Sequence, residues 1–163
     1  IVMATLTIGI AEQVVSRAPD RLVTLGLGSC VGLVLFDPVT KIGGMVHIML
    51  PCAPQGMAEI NKFKFADTAV PEMIRLVTRA GASRHMLQAK LAGGAHMFNN
   101  SYQTDMLNIG KRNVDVCLAQ LQAHRIPVAA QDTGGTIGRS IEFNCEDGTL
   151  QVRTVAPKSL RLI

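Results

Sequence analysis

The chain has 163 residues, of which 48% are hydrophobic and 17% are charged, and its formal net charge is +4. This composition is typical of a folded globular domain and excludes a disordered chain. No apolar run approaches the roughly 20 residues that a membrane-spanning helix needs. The first residues also lack the charged and apolar regions of a signal peptide. We therefore expect a single domain over residues 1–163 that is cytoplasmic and does not insert into a membrane.

The cysteines and the basic residues do not form the usual ligand-binding patterns. Cys30, Cys52, Cys117 and Cys145 are widely spaced without a CxxC pair, so free thiols in a reducing compartment are expected. A zinc site built from Cys30, His47 and Cys52 lacks a characteristic spacing and a fourth ligand. The basic residues are scattered and do not alternate with aromatic residues, which argues against nucleic-acid binding. We expect no metal and no cofactor.

The N-terminal third has the composition of β-strands, rich in β-branched and apolar residues. Asp37-Pro38 is a turn signal between two of these segments, which favours antiparallel pairing of the strands that flank it. The strands are predicted over residues 5–15, 21–27, 31–36 and 42–50.

The middle of the chain changes to helical periodicity, and the C-terminal part returns to strands. A first helix is predicted over residues 67–80, with Asp67 as its N-cap and Gly81 just beyond its end. A second helix is predicted over residues 109–124. Because strands cluster at both ends with two helices between them, the pattern indicates a layered α+β domain. The remaining strands are predicted over residues 87–92, 128–130, 140–143 and 150–155.

Residues 24–30, with the sequence TLGLGSC, are the most informative stretch for chemistry. Gly26 and Gly28 allow the backbone to turn tightly beside Cys30. Backbone N–H groups in such a turn can lower the pKa of a thiol and can hold an oxyanion. The alternative is that Cys30 is a small buried hydrophobic residue, as free cysteines usually are.

His47 is the candidate partner for this thiol. A turn at Asp37-Pro38 would bring residues 45–47 back beside Cys30 and Val31. An imidazole near a thiol is the usual means of obtaining a thiolate at neutral pH. The alternative is a core histidine bonded to a backbone carbonyl, and the pairing with Cys30 favours the functional interpretation.

Several sequence blocks together resemble the CheD family of chemoreceptor glutamine deamidases. The blocks occur in the family's order and cover nearly the whole chain, although Phe65 stands where the family typically has tyrosine. The resemblance implies a three-layer α/β/β sandwich with two helices packed on β-sheets, related to the catalytic domains of bacterial glutamine-deamidating toxins. The blocks are LGLGSC at 25–30, DP at 37–38, HIMLP at 47–51, FADTA at 65–69, KLAGGA at 90–95, IGKRN at 109–113, DTGG at 132–135 and GRS at 138–140.

The resemblance also implies an activity and the residues that carry it. Cys30 would attack the side-chain amide of a receptor glutamine, His47 would act as the acid and base, and Thr24 would orient His47. The product would be glutamate, with release of ammonia. Other residues of the site are expected to bind the substrate or its oxyanion, namely Gly28, Ser29, Phe65, Gly134, Gly135 and Arg139.

Partners and roles beyond the catalytic set stay open at this point. The substrate is expected to be the cytoplasmic helices of a chemoreceptor, with Lys64 and Arg139 as docking charges for that acidic partner. Gly134, Gly135 and Arg139 either line the substrate groove or form a turn and a surface ion pair. Asn113 is expected to bond the backbone rather than to act in catalysis. The alternatives are a chemotaxis module that docks and stimulates a CheC-type phosphatase, and a receptor methylesterase.

Overall fold

The computed structural model describes residues 2–97 and 108–163, and these residues fold into three layers. The middle layer is a five-stranded sheet, here called the inner sheet, in which the last two strands in spatial order are parallel and the other neighbours are antiparallel. In spatial order, its strands are β2 (Gln13–Arg17), β5 (Ile42–Ile48), β4 (Val31–Asp37), β6 (Gln88–Gly93) and β7 (Val128–Thr133).

A second five-stranded sheet, the outer sheet, packs on one face of the inner sheet. Its first two strands are parallel and the others are antiparallel. In spatial order, its strands are β1 (Thr5–Ile8), β3 (Arg21–Leu27), β8 (Arg139–Asn144), β9 (Leu150–Val155) and β10 (Lys158–Leu162).

Two helices, α1 (Ala66–Arg79) and α2 (Ile109–Ala123), cover the other face of the inner sheet. Every residue of β4 and β5 is buried, because both faces of these central strands are covered. This double burial explains why both strands are apolar apart from Asp37 at the end of β4 and His47 in β5. Within the described residues, neither helix is long and apolar enough to cross a membrane.

The layers enclose two apolar clusters. One lies between the helices and the inner sheet, and it includes Val70 and Met73 of α1 and Leu121 of α2. The other lies between the two sheets, where Phe36 and Phe143 meet edge to face with their ring centroids 5.1 Å apart. The predicted α+β sandwich with two helices packed on sheets is confirmed.

The predicted strand over residues 5–15 is wrong in one respect, because it is two strands that belong to different sheets. The chain turns between them, where Ala11 has a positive φ of 63° and the Glu12 amide donates to the Gly9 carbonyl at 3.2 Å. The Glu12 carboxylate also accepts from the Gly9 amide at 2.6 Å. The turn sends β1 to the outer sheet and β2 to the inner sheet.

Two further expectations differ from the structure. The first helix begins at Ala66 after Phe65, without a side-chain cap, and Asp67 instead accepts from the Ala53 amide at 3.0 Å. Strand β10 was not predicted, and its five residues are all exposed. It forms by pairing along β9, so it does not need the buried apolar face that an alternating sequence pattern would reveal.

Candidate active site

Cys30 lies where the chain crosses from the outer sheet to the inner sheet. It ends the short turn that joins β3 to β4, and it is partly exposed. Its side chain packs against the apolar cluster between the two sheets. It also forms part of the wall of an open cavity of about 440 Å³. The thiol is therefore held by the core on one side and is accessible from the cavity on the other.

The turn before Cys30 is fixed through its carbonyl groups. In a trans peptide the C=O and the N–H point in opposite directions. The amides of Ser29 and Cys30 therefore point away from the groups that donate to the carbonyls of Gly28 and Ser29. The amide of Cys30 lies near its own thiol, where it acts to lower the thiol pKa. The three hydrogen bonds run from the Ala95 amide to the Gly28 carbonyl at 2.9 Å, from Asn113 Nδ2 to the Ser29 carbonyl at 2.9 Å, and from the Gly94 amide to the Cys30 carbonyl at 2.8 Å.

His47 faces the same space between the sheets as Cys30. In the pairing of β4 with β5 it stands opposite Gly32, and Ile48 stands opposite Val31. The sequence had suggested pairing of residues 45–47 directly beside Cys30 and Val31, so the register differs by a residue or two. Cys30 precedes Gly32 by two residues, which makes Cys30 and His47 diagonal neighbours on one face of the sheet, the relationship that long side chains can span. A Cβ on Gly32 would lie 2.5 Å from Ile141 Cδ1, so this site opposite His47 has no room for a larger residue.

The hydrogen bonds of Thr24 fix the tautomer of His47. Thr24 Oγ1 lies 2.9 Å from the Ile8 carbonyl oxygen and 2.7 Å from His47 Nδ1, and Thr24 is completely buried. A carbonyl can only accept, so the single hydroxyl proton of Thr24 goes to Ile8. The hydroxyl oxygen must then accept a proton from Nδ1 of His47. The other ring nitrogen, Nε2, carries the lone pair, and it is buried without a hydrogen-bond partner among the described residues.

Burial controls the charge state of both groups. Loss of solvent raises the pKa of the Cys30 thiol above its ordinary value, against the smaller opposing effect of its own amide. Loss of solvent also lowers the pKa of His47, which is 1% exposed. A neutral thiol beside a neutral imidazole is therefore favoured in the free protein. This differs from the thiolate at neutral pH that the sequence suggested.

The cavity beside Cys30 has walls that are mainly apolar. A Cβ on Gly28 would lie 3.1 Å from Met97 Cγ, so the absence of a side chain at Gly28 lets Met97 lie close over the turn. These wall residues could not be predicted from the sequence, because an isolated methionine or isoleucine carries no signal that separates a pocket from a core. The apolar wall residues include Ile10, Met49, Leu50, Met97 and Ile109.

Gly134 and Gly135 line a neighbouring cavity of about 320 Å³, which shares His96 and Asn108 with the cavity at Cys30. The His96 amide donates to the Gly135 carbonyl at 2.8 Å, and the Gly134 amide donates to the Gly93 carbonyl at 3.0 Å. The two glycines therefore lie beside the Cys30 cavity and are attached to the segment that follows β6.

Arg139 binds one carboxylate and two backbone carbonyls inside the protein. Its side chain is 9% exposed and forms an ion pair from Nε to Asp132 Oδ1 at 2.9 Å. Its other nitrogens donate to the Gly134 carbonyl at 2.8 Å and to the Gly93 carbonyl at 3.2 Å. The guanidinium is thus bound to the end of β6 and to the loop that follows β7, so the prediction of Arg139 as a docking charge is wrong.

Phe65 does not line the Cys30 cavity itself, but it forms an isolated β-bridge with the wall residue Leu50. It is 6% exposed and precedes the first turn of α1. Lys64 Nζ lies 5.7 Å from the centroid of its ring. The structure therefore joins Thr24 to His47, places His47 on the same face of the inner sheet as Cys30, and has Gly28 and Ser29 in the same turn as Cys30. A role for Phe65 in substrate binding stays a prediction.

Asn113 is completely buried on α2, and its Nδ2 donates to the Ser29 carbonyl at 2.9 Å and to the Met49 carbonyl at 3.0 Å. The expectation that Asn113 bonds the backbone is confirmed, although its partners belong to the turn before Cys30 and to the residue after β5. Among residues 2–97 and 108–163, no group of three His, Cys, Asp or Glu side chains could hold a metal ion.

The structure defines an α+β sandwich in which a hydrogen-bonded Thr24–His47 pair lies on the same face of the inner sheet as Cys30. A thiol beside a histidine that a third group orients is the arrangement typical of cysteine hydrolases. The model of the family described as CheD chemotactic sensory transduction matches residues 49–154, and the chain belongs to this CheD family.

Close relatives match along almost their whole length. A probable chemoreceptor glutamine deamidase CheD from Caldanaerobacter subterraneus subsp. tengcongensis is 47% identical over 92% of this chain and 93% of its own. The chemoreceptor glutamine deamidase CheD of Bacillus velezensis is 47% identical over 93% of this chain and 92% of its own. Among solved structures, the hypothetical protein YfiH of Bacillus licheniformis matches 75% of this chain and 50% of its own with a TM-score of 0.47 and 16% identity.

Proposed function

We propose that this protein is a cytoplasmic protein-glutamine deamidase that converts glutamines of bacterial chemoreceptors to glutamate with release of ammonia. The observation that carries the proposal is the hydrogen-bonded pair Thr24–His47, which leaves a basic Nε2 free on the same sheet face as Cys30. Family membership and the names of close relatives supply the substrate class.

The first half of the reaction forms a thioester. Cys30 Sγ attacks the side-chain amide carbon of the glutamine, and the thiol proton moves to His47 Nε2. The carbonyl oxygen becomes an oxyanion, for which the amides of Ser29 and Cys30 are the candidate donors. The imidazolium then returns its proton to the amide nitrogen, which leaves as ammonia. Thr24 accepts from Nδ1–H throughout and stabilises the transient imidazolium.

The second half hydrolyses the thioester. His47 Nε2 takes a proton from a water molecule, which attacks the acyl carbon, and the C–S bond breaks. The proton returns to the Cys30 sulfur, and the side chain leaves as a carboxylic acid that ionises to glutamate. A neutral Cys30 thiol and a neutral His47 imidazole suit both halves of the reaction, because His47 Nε2 must be unprotonated at the start of each half.

The cavity supports a glutamine presented on a protein rather than free glutamine. Its wall is mainly apolar, with Met49, Met97 and Ile10 partly exposed at its margins, and such surface favours a packed polypeptide over a charged amino acid. The charged α-amino and α-carboxylate groups of free glutamine would lose solvent there without compensating partners. A helix that carries the glutamine would place apolar neighbours against this wall.

Docking of a CheC-type phosphatase would use the same apolar wall, and the methylesterase alternative would use the same attack chemistry. The complete Thr24, Cys30 and His47 set favours catalysis over docking alone. The amide and ester substrates differ in their leaving group, so the products distinguish them.

The test incubates the protein with a purified cytoplasmic fragment of a chemoreceptor, in an unmethylated form and in a form methylated on its glutamates. We expect ammonia release and a gain of roughly 1 Da at specific glutamines of either form, since the reaction replaces NH2 with OH. Loss of roughly 14 Da from methylated glutamates, without change at glutamine, would instead identify an esterase. No change in either fragment would overturn the catalytic proposal.

A further inference from the structure

We propose that Asn113 is a positioning residue of the deamidase site, which holds the nucleophile turn so that the Cys30 amide faces the reacting atoms. The inference rests on the proposed function, and it assigns to α2 a part in catalysis beyond the Thr24, Cys30 and His47 set. The observation behind it is that Asn113 Nδ2 bonds two backbone segments, the turn before Cys30 and the residue after β5.

Asn113 uses both of its N–H donors. One bonds the carbonyl of Ser29, the residue before the nucleophile, at 2.9 Å, and the other bonds the carbonyl of Met49, just after β5, at 3.0 Å. His47 lies two residues before Met49. The same amide group therefore ties the segment that carries the thiol to the segment that carries the imidazole.

The bond to Ser29 sets a direction as well as a distance. The Ser29 carbonyl and the Cys30 amide belong to one planar peptide and point in opposite directions. With the carbonyl held toward α2, the Cys30 amide must point away from α2, toward its own thiol and the place where an oxyanion would form. If the carbonyl is released, the peptide can rotate, and the amide leaves that position.

The surroundings of Asn113 restrict its movement. Asn113 is completely buried, and its Oδ1 has no hydrogen-bond partner among the described residues. A buried amide oxygen without a partner is unfavourable, so the two donor bonds are the stabilising contacts that the Asn113 amide makes. The first turn of α2 is also packed tightly, because a Cβ on Gly110 would lie 2.2 Å from the Ala95 carbonyl oxygen. α2 cannot shift toward the turn to replace the lost contacts.

The test compares Asn113→Ala and Asn113→Asp with a control, Cys117→Ala. Asn113→Ala removes both donors without adding charge, and Asn113→Asp removes them at nearly constant volume. Cys117 is a fully buried residue one helical turn further along α2, within the apolar cluster between the helices and the inner sheet, so its truncation loosens α2 without touching the turn. Circular dichroism and urea unfolding establish which variants are folded, and if Asn113→Ala does not fold, the Asp variant carries the test.

Two readouts separate positioning from general destabilisation. For folded Asn113 variants we expect kcat on the receptor fragment to fall about 100-fold with KM changed less than about twofold, the scale expected for misplacement of a catalytic group by about 1 Å. We also expect the rate of Cys30 alkylation by iodoacetamide, followed by peptide mass mapping, to shift its pH midpoint upward. The Cys117→Ala protein should match the wild type in both.

A folded Asn113 variant that keeps either the wild-type kcat or the wild-type alkylation profile would overturn the inference. The alkylation readout needs no receptor, so it remains decisive even if the proposed substrate is wrong. Failure of the proposed function would instead appear as a wild-type protein that does not deamidate the fragment.

Discussion

Replacement of Thr24 by valine is the most informative change at the proposed site, because it removes one hydroxyl and keeps the shape of the side chain. The hydroxyl donates to the Ile8 carbonyl and accepts from His47 Nδ1–H. Both partners are buried, with His47 1% exposed and Ile8 8% exposed. Thr24→Val removes the hydroxyl from both, and a buried group that is left unsatisfied costs about 1–3 kcal/mol of folding free energy.

The catalytic cost follows from the same bond. Without Thr24 as an acceptor, His47 no longer prefers the tautomer that carries a lone pair on Nε2. A preference of about 1–3 kcal/mol corresponds to a factor of about 5–150 in the population of the reactive form. We therefore expect kcat for ammonia release from a receptor fragment to fall by about that factor. Thr24→Ser keeps the hydroxyl, and it should retain kcat within about threefold if its oxygen reaches both partners.

The assay measures ammonia release at saturating receptor fragment, well below the urea or temperature range in which either variant unfolds. Circular dichroism on the same samples confirms that both are folded. Equal kcat values for the folded Val and Ser variants would refute the tautomer argument, since it assigns the whole effect to the hydroxyl.

Three further predictions concern charge and packing near the site. Because burial lowers the pKa of His47, the unfolded chain takes up a proton at a higher pH than the folded protein does. The free energy of unfolding should therefore fall as the pH drops below the ordinary histidine pKa of 6.5. Urea unfolding at pH 7 and pH 5 should show a smaller fall in His47→Gln than in the wild type. An equal pH dependence in the two proteins would contradict the burial argument. Iodoacetamide at pH 7 should modify Cys30 more slowly than the exposed Cys52, because burial raises the pKa of Cys30 and limits access to its thiol. Faster modification of Cys30 than of Cys52 in peptide maps would instead reveal a preformed thiolate. Gly93→Ala should destabilise the protein by about 2–5 kcal/mol in urea unfolding, since its φ is +108° and a Cβ would lie 2.3 Å from the Cys30 carbonyl oxygen. Gly134→Ala, at φ +83° with open space around it, should cost about 1–2 kcal/mol, and equal losses would contradict the predicted clash.

The layered fold was accessible from the sequence because its signals are local. Residues 31–36 are apolar throughout and residues 42–48 are apolar except for His47, and these strands on either side of the Asp37-Pro38 turn form the antiparallel centre of the inner sheet. The helices were also found from their periodicity, to within a residue or two. The split between β1 and β2 was missed because Ala11, a residue without turn preference, adopts a positive φ there.

The resemblance assigns Thr24, Cys30 and His47 to the candidate site, and that assignment stays a prediction. The structure joins Thr24 to His47 across the two sheets. The charge state could not be predicted, because it depends on burial by residues far away in the chain. The bonds of Asn113 to Ser29 and Met49 span 84 and 64 residues, and no spacing rule connects such positions. Arg139 was taken for a docking charge for the same reason, since its partners are set by the folded loop.

The most direct test of the central claim compares Cys30→Ala with Cys52→Ala on the same receptor fragment. Cys52 is an exposed thiol a short way along the chain from the cavity residue Leu50, so its removal controls for the loss of a nearby cysteine. Peptide mass mapping follows the gain of roughly 1 Da at each glutamine, and circular dichroism confirms that both variants are folded. We predict no gain with Cys30→Ala and wild-type conversion with Cys52→Ala. Continued conversion of glutamine by folded Cys30→Ala protein would contradict the assignment of Cys30 as the nucleophile.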